Sequence, residues 1–339
     1  MAKRQLNQRQ AWRAKRIQQE RIERSEKKVK KLEERLNATD LGISEPGLVI
    51  ANYGNHIIVE NETGHLFSCM ARQNIGQVVC GDRVIWQKIG NEDSGVVTAC
   101  TERHSLLERP TFNKIHKPVA ANIDQVFIVS APEPSLQTLL IDRYLVATEI
   151  SELDAILLIN KIDLLSPQQR QKLEQELQPY EEMGYKVIYI STKNNIGMAD
   201  LQAALKGKIS ILSGQSGVGK SSTINYLMPD LALQVGALSE GSRLGKHTTS
   251  ASRYFHLPFS GGIIDSPGVR DFGLWQFDEQ LITQGFREFR PFIGQCKFSN
   301  CSHRHEPHCA LREAVKEGHI TQSRFEHFHQ IIETNKTAT

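Results

Sequence analysis

The chain has 339 residues and a formal net charge of +3, with 39% hydrophobic and 23% charged residues. This length and composition fit a globular protein of two or three domains. No apolar run approaches the roughly 18 residues that cross a bilayer, and the charged N-terminus excludes a secretory signal. We therefore expect a cytoplasmic protein.

The positive charge is concentrated at the N-terminus. Residues 1–36 hold 13 Lys and Arg against 5 Glu, which gives this arm +8 and leaves −5 for the rest of the chain. A basic arm on a mildly acidic body favours a polyanionic partner such as nucleic acid, and a solvated helical tail explains the charge equally well. We assign residues 1–40 to a basic arm that is flexible or helical.

Residues 41–108 contain five short apolar segments that are separated by glycine turns. They predict a small β-barrel of the OB type. Such barrels often bind oligonucleotides, but the fold alone does not establish that role. Few side chains in this region are basic or aromatic and could contact RNA: Arg72, Arg83, Lys88 and Trp86. The sequence therefore favours RNA binding by the barrel only narrowly.

From residue 122 apolar strands alternate with helical stretches, which predicts an α/β domain with a mostly parallel sheet and helices on both faces. The boundaries of this domain are placed at residues 109–275. Residues 229–257 are turn-rich and receive no strand or helix. The last unit, residues 276–339, is expected to be helical around a cluster of Cys and His.

A phosphate-binding loop is predicted between the strand at 209–213 and the following helix. The match to G-x-x-x-x-G-K-[ST] is complete over eight residues: Gly214, Gln215, Ser216, Gly217, Val218, Gly219, Lys220 and Ser221. Glycines let successive backbone N–H groups point at the phosphates, and the helix N-terminus adds its positive end. We expect Lys220 to bridge the β- and γ-phosphates, Ser221 to ligate Mg²⁺, and Ser222 to lie within the site.

The base is predicted to be read by a second motif, which precedes the phosphate loop in sequence. Its residues end the apolar strand at 155–159: Asn160, Lys161, Ile162 and Asp163. A carboxylate at Asp163 can accept hydrogen bonds from both N–H donors of guanine, whereas adenine would leave it unpaired. A further base contact is expected from the backbone of Ser191, Thr192 and Lys193.

Two switch elements are predicted after the phosphate loop. The segment Asp265-Ser-Pro-Gly268 gives a D-x-x-G element, in which Asp265 would hold Mg²⁺ through water and the Gly268 N–H would contact the γ-phosphate. Thr248 and Thr249 offer a hydroxyl for Mg²⁺ in a first switch, and spacing does not choose between them.

The motifs occur in the order base, base, phosphate, first switch, second switch, which is a circular permutation. In this order and in its motifs the chain resembles the circularly permuted GTPases that depend on the small ribosomal subunit (the RsgA, or YjeQ, family). The residues that carry the resemblance are Asn160-Lys-Ile-Asp163, Gly214 to Ser221, Gly245-Lys-His-Thr-Thr249 and Asp265-Ser-Pro-Gly268. The resemblance implies late maturation of the 30S subunit, rRNA binding, and GTP hydrolysis stimulated by that particle. We expect the protein to be a monomer.

A metal site is predicted from Cys296, Cys301 and Cys309, which fall within fourteen residues. Three thiolates and one imidazole close a tetrahedral structural Zn²⁺ site. By spacing alone His303, His305 and His308 are alternative fourth ligands. The spacing Cys-x-His is that of the family the chain resembles, and His303 is chosen on this basis.

One catalytic position is unusual. In well-understood GTPases a glutamine directly after D-x-x-G orients the attacking water, but this chain has Val269 there. His247 is the candidate for that role, and the resemblance points the same way; a histidine that packs or binds RNA is the alternative. The predicted catalytic set is His247, Lys220 and Thr249, with Ser221 and Thr249 as the Mg²⁺ ligands.

Two other functions compete with a GTPase of ribosome assembly. An ATPase or small-molecule kinase could use the same phosphate loop, and a zinc-stapled RNA-binding module could use the nucleotide only for regulation. Because residues after Gly268 lead directly into the metal unit, we also hypothesise that loss of the γ-phosphate reorients this unit on its RNA partner.

Overall fold

A β-barrel and an α/β domain share one continuous sheet. The computed structural model describes residues 41–54, 56–72, 75–90, 93–110, 116–229, 252–265 and 277–337. Within these residues the eleven strands of the main sheet run from the edge of the α/β domain into the barrel. The predicted basic arm lies outside the described residues.

The barrel has the strand order of an OB fold. Its strands are β1 (Leu41–Asn52), β2 (Ile57–Glu60), β3 (Leu66–Ala71), β4 (Arg83–Ile89) and β5 (Ser94–Cys100). They pair in the order β1-β2-β3-β5-β4, and β1 also pairs with β4, which closes the barrel. The predicted OB-like barrel is confirmed.

Trp86 forms the centre of the barrel core. Its side chain is 1% exposed and packs on Phe67, with ring centroids 4.4 Å apart. Glycines make the room for it, because a Cβ at Gly47 or Gly95 would lie within 2.8 Å of the indole. Trp86 is therefore a core residue and offers no surface for stacking on RNA, which removes one of the barrel's candidate contacts.

A two-stranded hairpin follows the barrel and was not predicted. It consists of β6 (Leu106–Pro110) and β7 (His116–Ala121). Each strand contains a proline and charged residues, a composition that is atypical of a strand in a sheet interior.

The α/β domain has the predicted alternation. Its strands are β8 (Gln125–Ser130), β9 (Asp154–Ile159), β10 (Lys186–Tyr189), β11 (Ile209–Ser213), β12 (Arg253–His256) and β13 (Gly262–Asp265). They lie in the order β10-β9-β8-β11-β13-β12, and all neighbours are parallel except β12, which is antiparallel to β13. Strand β12 lies in the turn-rich segment that received no assignment.

Helices alternate with these strands, as predicted. They are α1 (Thr138–Ile150), α2 (Pro167–Glu182), α3 (Met198–Leu205) and α4 (Lys220–Leu227). The residues at the start of α2 explain why the helix begins there: Ser166 and Gln169 form a reciprocal capping box, and Pro167 occupies the first helical position. No helix within the described ranges is long and apolar enough to cross a membrane.

Strand β12 joins the α/β domain to the barrel. Ala51 of β1 pairs with Arg253, and His256 Nε2 lies 2.6 Å from Glu60 Oε2. Nearby, the Asn122 side-chain amide donates to the Gly81 carbonyl at 2.9 Å. The two parts therefore meet through backbone pairing as well as side-chain packing.

The C-terminal unit is helical, as predicted. It contains α5 (Glu279–Gly285), a short 3₁₀ helix (Arg287–Phe292), α6 (Ala310–Lys316) and α7 (Gln322–Thr337). Its apolar core is built on Phe286, Phe289 and Phe328, and it packs against Val146 of α1. The unit is thus attached to the α/β domain through that helix.

A buried set of charged groups reinforces this attachment. Arg324 is 3% exposed; its Nη1 lies 2.6 Å from Asp142 Oδ1, and its Nε lies 2.7 Å from Glu288 Oε1. Asp142 also accepts from Tyr180 Oη at 2.7 Å and contacts His327 Nδ1 at 2.5 Å. These groups join α7, α1 and α2.

The three cysteines outside the cluster behave as apolar residues. Cys69 and Cys80 are buried and Cys100 is partly buried. Burial raises the pKa of the Cys69 thiol to about 12 and that of Cys100 to about 11, so neither is a thiolate at neutral pH.

Candidate nucleotide site and metal centre

The predicted phosphate loop connects β11 to α4, and two of its glycines are required by close backbone approaches. Gly214 has φ +137°, and a Cβ there would lie 2.1 Å from the Val129 carbonyl oxygen. Gly219 has φ +97°, and a Cβ there would lie 2.2 Å from Asn160 Nδ2. Any other residue at either position would push the loop away from a neighbouring strand end.

The lysine of the loop is folded back onto its own backbone. Lys220 Nζ donates to the carbonyls of Gly214 at 2.5 Å and Gln215 at 2.7 Å. Lys220 is also the first residue of α4, where backbone N–H groups have no partner within the helix. An ammonium and the N-terminus of a helix at one loop form a site suited to an anion such as a phosphate.

The base-reading motif is tied directly to the phosphate loop. Asn160 is 1% exposed, and its Nδ2 donates to the Val218 carbonyl at 3.0 Å. The Thr192 N–H points to Asn160 Oδ1 at 3.5 Å. One buried amide therefore connects the three loops that sequence analysis identified separately.

Asp163 is held in place by Ser191. The Ser191 hydroxyl donates to Asp163 Oδ1 at 2.6 Å, and the same hydroxyl accepts from the Asn194 N–H at 3.1 Å. Ser191 is fully buried, whereas Ile162 and Asp163 lie in a short 3₁₀ helix at the surface of the site. The sequence pointed to the backbone of Ser191; its hydroxyl contact with Asp163 is found only in the structure.

Lys161 and Lys193 differ in their surroundings. Lys161 adopts a left-handed backbone with φ 62°, and its Nζ donates to the Glu133 carbonyl at 2.9 Å. Lys193 is exposed at the tip of its loop. In this loop Asn195 accepts a hydrogen bond from Tyr226 Oη of α4, a contact that no sequence motif indicated.

The structure describes only some of the residues that were predicted to form the two switches and the Mg²⁺ site. Asp265 ends β13, which neighbours β11, and Ser221 and Ser222 lie in the first turn of α4. His247, Thr248, Thr249, Gly268 and Val269 lie outside the described residues.

The predicted metal ligands converge on one point. One ligand atom each from Cys296, Cys301, His303 and Cys309 lies within 4.8 Å of every other. His303 Nδ1 is 3.3 Å from Cys309 Sγ and 3.5 Å from Cys296 Sγ, and the two sulfurs are 3.9 Å apart. A tetrahedral ion bound at about 2.3 Å to sulfur and about 2.0 Å to nitrogen requires separations of about 3.5 to 3.8 Å.

The surroundings of the cluster also suit a cation. Burial raises the pKa of Cys301 to about 12 and raises that of Cys309, and it lowers the pKa of His303. Without a positive ion the Cys301 and Cys309 thiols stay protonated, and a bound cation would favour their thiolates. The Ala310 N–H points at Cys296 Sγ at 3.4 Å. Neither His305 nor His308 belongs to the group.

These motifs lie at the carboxyl ends of neighbouring parallel strands, where open α/β sheets bind ligands. The base-reading elements follow β9 and β10, and the phosphate loop follows β11, which comes later in the chain but lies beside β8. Fold and site together define a circularly permuted P-loop GTPase.

The chain belongs to the RsgA GTPase family, whose model matches residues 100–275. It is 46% identical to a small ribosomal subunit biogenesis GTPase RsgA of Marinobacter nauticus, over 98% of this chain and 96% of the relative. It is 44% identical to that of Haemophilus influenzae over the same shares.

Two solved structures share the fold over most of the chain. YjeQ from Thermotoga maritima superimposes with a TM-score of 0.70 at 32% identity, covering 86% of this chain and 99% of YjeQ. YloQ, a circularly permuted GTPase, superimposes with a TM-score of 0.67 at 27% identity, covering 88% of this chain and 96% of YloQ. The family expected from the motifs is confirmed.

Proposed function

We propose that this protein hydrolyses GTP to GDP and phosphate in the late maturation of the small ribosomal subunit, that it binds 16S rRNA, and that the subunit stimulates hydrolysis. The observation that carries the proposal is that Ser191 holds Asp163 and Asn160 contacts the phosphate loop, in a chain that is 46% identical to a small ribosomal subunit biogenesis GTPase. The protein acts in the cytoplasm as a monomer.

The nucleotide is bound by the groups that converge at the strand ends. Asp163 accepts from the guanine N–H donors, the backbone of Ser191 to Lys193 supplies a second base contact, and Asn160 keeps these loops in register with the phosphate loop. Residues 214–222 enclose the phosphates. When the nucleotide binds, the Lys220 ammonium exchanges its hydrogen bonds to the loop carbonyls for contacts with the β- and γ-phosphates.

Two kinds of metal ion complete the protein. Cys296, Cys301, His303 and Cys309 would hold Zn²⁺ in a structural role, because four protein ligands leave no position for a substrate. Ser221 and Thr249 would ligate Mg²⁺, which neutralises phosphate charge when bound, and Asp265 would act on it through water. Thr248 is the alternative to Thr249.

GTP hydrolysis measured with and without purified small subunits tests the proposal. We expect slow turnover by the isolated protein and at least tenfold stimulation by 30S subunits, with no stimulation by 50S subunits. Lys220→Ala is the control that removes phosphate binding. Turnover that stays at background with 30S subunits would favour an RNA-binding module with a regulatory nucleotide, and equal hydrolysis of ATP would favour the ATPase reading.

The attacking water is oriented by His247, because Val269 cannot hydrogen-bond to it. We expect His247→Ala to lower subunit-stimulated turnover about 100-fold while the affinity for GTP changes less than about twofold. Stopped-flow binding and single-turnover hydrolysis measure the two separately. Equal losses of affinity and turnover would reject the assignment and indicate a packing role.

A further inference from the structure

The loop between β8 and α1, residues 131–137, lies inside the nucleotide site although no motif includes it. Strand β8 is paired in parallel with β9 on one side and with β11 on the other. Parallel strands end at the same edge, so the loop after β8 emerges between the base-reading motif and the phosphate loop. The loop therefore lies between two elements that contact the same nucleotide.

The loop contacts both of these elements. The Glu133 carbonyl accepts a hydrogen bond from Lys161 Nζ at 2.9 Å. Among the described residues, this carbonyl is the hydrogen-bond acceptor of the Lys161 ammonium. Pro134 faces the phosphate loop, since its Cδ would lie 3.6 Å from a Cβ placed on Gly217. At the base of the loop the Asn160 N–H donates to the Ser130 carbonyl at 2.8 Å.

Lys161 needs such a support. A lysine side chain rotates about the bonds of its four-carbon stem, so holding it in one position against a purine costs conformational entropy. A fixed carbonyl at Glu133 restrains the ammonium before the nucleotide arrives, and the ring of Pro134 restricts the backbone that presents this carbonyl. The contact between Glu133 and Lys161 would act at the face of the base, away from the phosphate that is cleaved.

We propose that residues 131–137 form a third element of the guanine-nucleotide site, in which Glu133 and Pro134 are positioning residues that hold Lys161 against the purine ring. The proposal rests on the proposed GTPase function. It assigns the loop to ground-state binding of the base, so the loop raises the affinity for GDP and GTP alike and leaves the hydrolytic step unchanged.

A double-mutant cycle on the full-length protein tests this proposal. The dissociation constant of the fluorescent nucleotide mant-GDP is measured for wild type, Pro134→Ala, Lys161→Ala and the double variant. We expect Pro134→Ala to weaken binding about three- to tenfold, Lys161→Ala to weaken it more, and the double variant to equal Lys161→Ala. Pro258→Ala, which replaces an exposed proline in the turn between β12 and β13, outside the loop, is the matched control and should bind as wild type does.

Steady-state kinetics with 30S subunits provides the second readout. Pro134→Ala should raise KM for GTP by the same factor as the dissociation constant and leave kcat within about twofold of wild type. Pro134→Gly, which loosens the backbone further, should show a larger rise in KM. Pro134 is exposed, so we expect both variants to retain the wild-type melting temperature without nucleotide.

Three results would overturn the proposal: additive effects of Pro134→Ala and Lys161→Ala, unchanged mant-GDP binding in both proline variants, or a loss of kcat with KM unchanged. Failure of the wild-type protein to bind mant-GDP would instead count against the proposed function, so the two failures are distinguishable.

Discussion

At the scale of single residues, the proposed guanine recognition depends on how two side chains are held. Asp163 is restrained by the buried hydroxyl of Ser191, and Asn160 is restrained by the Val218 carbonyl of the phosphate loop. The loop is in turn shaped around Asn160, because Gly219 leaves room for its amide. The predicted base-reading motif and the predicted phosphate loop are therefore joined by direct contacts.

This geometry predicts the effect of replacing the carboxylate. Asp163→Asn exchanges one of the two acceptors for an N–H donor that faces the donors of guanine. We expect the affinity for GDP to fall at least about 100-fold and the affinity for xanthosine diphosphate, which carries an acceptor in place of the amino group, to rise. Equilibrium titration with both nucleotides measures the change.

Asp200→Asn is the matched control, because it makes the same chemical change at an exposed aspartate of α3 that lies outside the site. An Asp163→Asn protein that keeps its preference for guanine would show that another group reads the base.

At the scale of elements, the proposed metal centre would hold together a segment with little regular structure. The four ligands lie between the 3₁₀ helix at Arg287–Phe292 and the start of α6, and residues 293–309 contain no long helix or strand. His303 adopts a left-handed backbone with φ 61°. Because few backbone hydrogen bonds hold this segment, the proposed metal would fix its fold.

Removal of one ligand should therefore loosen this segment. We expect Cys301→Ser to lose about one equivalent of zinc per chain and to be cleaved within residues 293–309 at least about tenfold faster in limited proteolysis. Metal analysis and mass spectrometry of the fragments measure both effects. Cys100→Ser, a substitution of a barrel thiol outside the cluster, should change neither, and a Cys301→Ser protein with full zinc content would exclude this ligand set.

At the scale of the whole molecule, the C-terminal unit is fixed to the α/β domain by buried charges. Arg324 and Asp142 lie on α7 and α1, and Glu288 completes the contact from the 3₁₀ helix. A second set joins Glu149 of α1 to Arg287 and Arg290, at 2.6 and 2.7 Å. The hypothesis that this unit reorients when the γ-phosphate leaves stays a prediction, and such a motion must either break these contacts or carry α1 with it.

Breaking the central contact should be costly, because it leaves two buried carboxylates without their cation. We expect Arg324→Met to lower the free energy of unfolding by about 3–5 kcal/mol in urea denaturation. The double variant Arg324→Met with Asp142→Asn should recover part of the loss, since it removes one of the unpaired charges. Arg304→Ala, which removes the more exposed pair with Glu333, is the control and should change little.

A loss for Arg324→Met no larger than that for Arg304→Ala would show that apolar packing on α1, and not the buried charges, holds the unit in place.

The sequence by itself determined the OB-like barrel, the alternation of strands and helices in the α/β domain, and the family. Short apolar segments and glycine turns mark the barrel strands, and the motifs begin where the strands at 155–159 and 209–213 end, so local chemistry was sufficient for these. It did not show β12, whose four residues lie in a turn-rich segment and become a strand by pairing with β1 and β13. It also listed Trp86 as a surface candidate, although the glycines that make room for this indole lie on two other strands.

Only the tertiary structure decided which groups meet. Ser191 and Asp163 are 28 residues apart, Asn160 and Val218 are 58 apart, and Arg324 and Asp142 are 182 apart. A motif records residue types and short spacings, whereas these contacts depend on the order of strands in the sheet and on the packing of α7 against α1. The loop at 131–137 carries no motif for the same reason: it contacts Lys161 through a backbone carbonyl, which any residue at position 133 would supply.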